Sequence, residues 1–84
     1  MIEAPSARRL LIGAALRRYR EDHGFILEDA ALVLECDRSK ISRIETGQRG
    51  IRPKELRELL TEYGVGEQEQ CTLTAIAQTG GRGS

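Results

Sequence analysis

Aromatic residues are nearly missing from this sequence: among 84 residues there is no Trp, one Phe (Phe25) and two Tyr (Tyr19 and Tyr63). A core must therefore be built from Leu, Ile, Val and Ala, which suits packed helices. Runs that alternate apolar and polar residues with β-branched enrichment are missing as well, so strands are not expected. The two cysteines, Cys36 and Cys71, form neither a Cys-x-x-Cys pair nor a set with the single His23. That excludes metal-ligand spacing and a disulfide framework. There is no signal-peptide pattern and no long apolar run, so the expectation is a cytoplasmic chain with reduced thiols and no membrane span. No Ser/His/Asp set and no glycine-rich phosphate loop after a strand is present. Glu28 and Asp29 are adjacent carboxylates, but neighbours in sequence do not face each other on a helix. These gaps argue against an enzyme and against any cofactor.

An excess of one charge is also missing, since 13 Lys and Arg balance 13 Asp and Glu. The distribution is uneven. Residues 1–20 carry +4, residues 21–37 carry −6 without a single Lys or Arg, residues 38–57 carry +5, and residues 58–84 carry −3. For a partner approaching one face, the local field matters more than the sum. The block 38–57 is the most basic of the four, and its charge suits nucleic acid.

What is present centres on Asp37-Arg38-Ser39-Lys40-Ile41-Ser42-Arg43-Ile44-Glu45-Thr46-Gly47. Asp37 is placed as an N-cap, its carboxylate able to accept a backbone N–H one turn in. Gly47 can take the left-handed conformation that ends a helix. Between them lie about two turns, with Ile41 and Ile44 spaced i,i+3 so that they face inward together. Arg38, Ser39, Ser42 and Arg43 then point outward, offering guanidinium and hydroxyl groups with no carboxylate before Glu45. That is the donor chemistry that reads base edges and grips phosphates. Upstream, Leu27 to Leu34 reads as another short helix, with Glu35-Cys36-Asp37 as a tight connection. Two short helices joined this way form a helix-turn-helix plan, with a motif spanning about 27–45.

In chain order, residues 1–5 read as a loose lead-in. Ser6 can cap a helix from Ala7 to about His23, with Ile12, Leu16 and Tyr19 inward, widened by Leu11 and Ala15, and with Arg8, Arg9, Arg17 and Arg18 outward. Gly24 ends it and Phe25 plugs the core. After the central motif, Gln48-Arg49-Gly50-Ile51-Arg52 forms a basic loop able to lie along a phosphate strand. Pro53 starts a fourth helix, with Leu56, Leu59 and Leu60 inward, ending at Tyr63-Gly64. A fifth helix runs from Glu67 to about Gln78, with Cys71, Leu73 or Thr74, Ile76 and Ala77 as its apolar contacts. Residues 79–84 are Gly-rich and expected to form a disordered tail or linker. The fold class expected is all-α: one domain of five helices over residues 6–78.

Arg20, Gly24-Phe25, Ala31, Leu34, the run Ser39 to Gly47, and Gln48-Arg49 together resemble the XRE, or phage-repressor-like, helix-turn-helix family over roughly Leu11 to Val65. The phrases Leu-Thr-Glu-Tyr-Gly-Val and Ser-Lys-Ile-Ser-Arg-Ile-Glu-Thr-Gly are similar to actinobacterial members, in which a ligand- or partner-sensing region follows. The resemblance implies that Arg20 pairs with Glu45 and clamps the first helix to the reading helix. It implies a small packing residue at Cys36. Two departures stand out. The family usually has Gly where this chain has Glu35, at a position of positive φ, so Glu35 should bear strain of about 1 kcal/mol. The family also favours Ser or Thr followed by Gln where this chain has Ile26 and Leu27, so a side-chain cap and one phosphate contact are lost.

The function this implies is sequence-specific binding of double-stranded DNA by a transcriptional regulator, with helix 38–45 in the major groove. Arg38 and Ser39 are the leading candidates for base contacts, followed by Ser42 and Arg43. Lys40, Gln48, Arg49 and Arg52 would hold phosphates. Related proteins bind palindromic half-sites as homodimers, and an effector or protein partner could act through a further region. The competing expectation is a protein-interaction module, antitoxin-like or docking a regulator's partner, with the acidic stretch 21–37 as its face.

Overall fold

The computed structural model describes the backbone of residues 7–81 and the side chains of residues 7–78. Five helices follow one another: α1 (Ala7–Asp22), α2 (Leu27–Leu34), α3 (Arg38–Glu45), α4 (Pro53–Glu62) and α5 (Glu67–Gly81). No strand occurs among the described residues. The expected Ser6 cap and the lead-in 1–5 lie outside them.

The inward positions make the fold. Ile12 and Leu16 of α1, Ala30 and Ala31 of α2, Ile41 and Ile44 of α3, Leu56, Leu59 and Leu60 of α4, and Leu73 of α5 form one buried cluster with Tyr63. Each large aliphatic side chain buried there contributes about 1.5–3 kcal/mol. Phe25 is half-buried and lays its ring 5.8 Å from that of Tyr63, plugging the base of the core. α1 packs on α3, α4 and α5, while α2 packs on α3 and α4. Two expected core contacts fall outside: Leu11 is half exposed and Cys71 is exposed. The inward arc of α1 runs through Ile12, Gly13, Leu16 and Arg20, which turns Leu11 to solvent. Leu73 and Thr74 occupy the buried positions of α5. Cys71 lies about 160° around the helix from Leu73 and about 60° beyond Thr74, at the outer edge of the buried strip.

Four of the helices stop by the same device. After α1, α2, α3 and α4 the chain takes one left-handed residue: Gly24, Glu35, Gly47 and Gly64, with φ of 73°, 55°, 81° and 73°. The following N–H then reaches back to the last turn: Phe25 to the Arg20 carbonyl (3.0 Å), Cys36 to Ala31 (2.9 Å), Gln48 to Arg43 (2.9 Å) and Val65 to Leu60 (2.9 Å). This is the Schellman arrangement, which satisfies carbonyls that a helix end would leave unpaired. Three of the four positions are Gly; Glu35 adopts the conformation without that freedom.

Starts are less uniform. Ile26 cannot cap α2, but the Asp29 carboxylate accepts the Ile26 N–H at 2.9 Å, half of a capping box. Glu55 accepts the Arg52 N–H at 3.4 Å ahead of Pro53. Asp37 holds the N-cap position of α3 with extended backbone, yet its side chain makes no capping hydrogen bond, contrary to the sequence expectation. α5 continues three residues past the expected end at Gln78, through Gly81, so residues 79–81 are helical rather than tail; residues 82–84 lie outside the described part. No helix among the described residues is long and apolar enough to cross a membrane.

Candidate nucleic-acid interface

α3 is propped outward from below. Ile41 and Ile44 are 1% and 2% exposed, so its underside is fixed against α1 and α2. Gly13 permits the approach of α1. A Cβ there would sit 2.6 Å from the Glu45 carbonyl oxygen and would also strike that of Ile44. An isolated Gly inside a helical pattern is the sequence signal of such a contact. At the far end, the Thr46 hydroxyl donates to the carbonyls of Ser42 (3.1 Å) and Arg43 (3.3 Å). A Cβ on Gly47 would meet Leu10 Cδ2 at 2.7 Å.

The upper side of α3 carries the candidate reading residues. Arg38, Ser39 and Arg43 are exposed and Ser42 is half-buried. These four line one shallow groove together with Gln48 and Leu27. Gln48, expected with the phosphate contacts, is thus grouped with the base-reading set. A neighbouring groove is lined by Lys40, Arg49, Arg52, Gly50, Ile51 and Glu55, bringing the other three phosphate candidates together. The N–H groups of Gln48 and Arg49 both reach the Arg43 carbonyl, at 2.9 and 3.2 Å, fixing the loop to the end of α3.

Two of the cations do not stand alone. Lys40 Nζ lies 3.0 Å from Glu55 Oε2, with both side chains about one quarter exposed. Its ammonium therefore turns towards α4, where the sequence suggested a cation standing open to phosphate. Burial alone would raise the Glu55 carboxyl, but the Lys40 ammonium and the Arg52 N–H outweigh it and hold that carboxyl below its usual range. Arg38 Nη1 meets Glu28 Oε2 at 3.1 Å, in a pair exposed on both sides. Neither partner was visible from spacing alone, because Glu55 and Glu28 come from the flanking helices.

Behind the interface, Arg20 and Glu45 form a two-pronged pair: Nε to Oε2 at 2.7 Å and Nη2 to Oε1 at 3.0 Å. The two side chains are 11% and 6% exposed. Arg20 Nη1 also donates to the Phe25 carbonyl at 2.9 Å. The Glu45 carboxylate raises the guanidinium above its ordinary value, against the opposing effect of burial. α1, the turn before α2, and the end of α3 are thereby joined by one side chain. Tyr63 is fully buried, its hydroxyl reaches no protein partner among the described residues, and burial pushes it well above the ordinary tyrosine value. Its role as the largest core side chain was not evident at the end of a polar helix. Cys36 is half-buried against the core, where burial pushes its thiol up and disfavours the reactive thiolate.

Two short helices crossing over a tight left-handed turn, the second with a buried underside and a donor-rich outer side, define a helix-turn-helix protein. The comparison with known families agrees: a family model described as a helix-turn-helix domain matches residues 11–73, and the chain belongs to that family. Among solved structures, the chain is similar to the clp gene regulator ClgR from C. glutamicum, with a TM-score of 0.71 and 23% sequence identity over 88% of this chain and 95% of that one. At that identity the likeness speaks for the fold. No curated protein matches the sequence significantly.

Proposed function

We propose that this protein binds double-stranded DNA sequence-specifically as a transcriptional regulator, with α3 in the major groove. The observation that carries the reading is the groove formed by Arg38, Ser39, Ser42, Arg43 and Gln48, whose polar lining is made of side chains that can donate. Arg38 and Ser39, at the leading end of α3, contact bases first; Ser42 and Arg43 follow one turn on. Arg49 and Arg52 hold phosphates beside it, with Gln48 between the two sets and Lys40 contributing through its Glu55-bound ammonium. The Arg20–Glu45 pair serves this role as a structural brace.

Within the helix-turn-helix class, the reading extends to an XRE-type, actinobacterial-type regulator acting in the cytoplasm on the nucleoid, without catalytic activity. It acts as a homodimer on paired half-sites, since one module of this size grips few phosphates, and an effector or protein partner acts through a further region. Selection of duplexes from a random pool should enrich one motif. Arg38→Ala should then lose preference at a single base pair, worth about 1–3 kcal/mol of discrimination. Failure to enrich any motif, together with binding indifferent to salt, would refute the reading.

One observation favours a protein-interaction module instead. Leu32 is 77% exposed on α2, within the acidic stretch 21–37. Titrating a random duplex at rising salt separates the two, because phosphate contacts make the binding constant fall steeply.

A further inference from the structure

We infer that Glu28 is a positioning residue for Arg38, fixing the guanidinium that reads DNA and opposing unspecific approach of the phosphate backbone. The inference rests on the DNA-binding reading above.

Arg38 is the first residue of α3, where the helix's own dipole is positive and repels a cation. α3 offers it no help: its first turn holds no acidic residue, and the Asp37 side chain makes no capping bond. Asp37 is the neighbouring carboxylate, but the one that pairs with Arg38 comes from the other helix of the motif. Glu28 sits in the first turn of α2, where a carboxylate is favoured, and its Oε2 accepts from Arg38 Nη1 at 3.1 Å. The starts of both helices therefore meet on the face that α3 presents.

The pair is a poor candidate for a stabilising element. Its side chains are 65% and 54% exposed, and such pairs add little to folding. Its chemistry suits orientation. A guanidinium has five N–H donors on a rigid plane. The bond to Glu28 occupies Nη1 and restricts that plane, while the edge made by Nε and Nη2 keeps two parallel donors. Two parallel donors are what guanine O6 and N7 accept. The same carboxylate offsets the guanidinium charge, so the pair draws any phosphate backbone less strongly than an unpaired Arg38 would.

The test compares the parent chain, Glu28→Ala, Arg38→Ala and the double variant. Each is titrated with the selected duplex, with versions altered one base pair at a time, and with a random duplex. Both side chains are exposed, so all four chains should melt at similar temperatures. Glu28→Ala should bind the random duplex more tightly and should lower discrimination by about fivefold at the base pair that Arg38→Ala also relaxes. In the Arg38→Ala background, Glu28→Ala should leave the base-preference profile unchanged. A Glu28→Ala chain whose affinity shifts by one common factor for every duplex overturns the inference, since that is bulk charge alone. So does lost discrimination that persists independently of Arg38. A parent chain with no salt-dependent DNA binding overturns the DNA-binding reading and this inference with it, a result distinct from either of those.

Discussion

Arg20 has three nitrogens engaged in one nearly buried place, on the Glu45 carboxylate and the Phe25 carbonyl. Removing its side chain leaves a buried carboxylate unpaired, which is far more costly than losing an exposed pair. Arg20→Ala should lower unfolding free energy by about 3 kcal/mol. A double-mutant cycle with Glu45→Gln should give a coupling of about 1–3 kcal/mol by denaturant titration; coupling near zero would mean that the two side chains act independently. Lys40 and Glu55 make a smaller, pH-dependent contribution. The Glu55 carboxyl is held below its ordinary value of 4.5 in the folded chain. The stability it supplies is therefore complete above that value and drains away as pH falls through the folded one. The melting temperature of the parent should exceed that of Glu55→Gln at neutral pH, and the gap should close as the pH falls below 4.5 and through the lower folded value. A gap that stays constant into strong acid would show that the Glu55 charge does not stabilise the fold.

At the scale of elements, the α2–α3 turn holds a conformation that its residue disfavours. Glu35 has φ 55° and ψ 51°, in the region where a Cβ costs roughly 1 kcal/mol or more. Glu35→Gly should raise the melting temperature by about 4–8 °C, the shift that 1 kcal/mol produces in a domain of this size. An unchanged or lower melting temperature would mean that the Glu35 side chain compensates for its backbone. The turn also shows why some of the architecture could be read in advance. Ile41 and Ile44, the Gly47 stop and the apolar spacing of α4 are local patterns, and each helix existed where its period and punctuation placed it. The left-handed turn at Glu35 was readable only through family resemblance, because Glu itself signals nothing of the kind. What escaped was set by partners distant in sequence. Lys40 turns to Glu55, Arg38 to Glu28, and α1 presents Gly13 rather than Leu11 to its neighbours. The unused Asp37 cap shows the converse: a residue type suited to a role does not take it when the side chain is oriented elsewhere. At the candidate site, residue types and outward placement were legible, while the grouping of Gln48 with α3 depended on how the loop folds back onto the Arg43 carbonyl.

For the whole molecule, zero net charge does not decide whether it can hold a polyanion. Of the seven Lys and Arg between residues 38 and 57, Arg38, Lys40, Arg43, Arg49 and Arg52 line the two grooves, and binding responds to the charges that approach the phosphates. Those cations are not equivalent. Arg49 is exposed on the loop, whereas Lys40 is partly buried and matched by Glu55. Arg49→Ala should weaken binding to every duplex and reduce the slope of log affinity against log salt by about 1. Lys40→Ala should change that slope by clearly less, because its ammonium is already neutralised, and should instead lower the melting temperature through the unpaired Glu55. Measuring salt slopes and melting curves for both variants tests this division of labour. Equal slope changes would mean that Lys40 leaves Glu55 when DNA arrives, making the pair a latch opened by the phosphate backbone. No change for Arg49→Ala would remove the loop from the interface and leave α3 to bind alone.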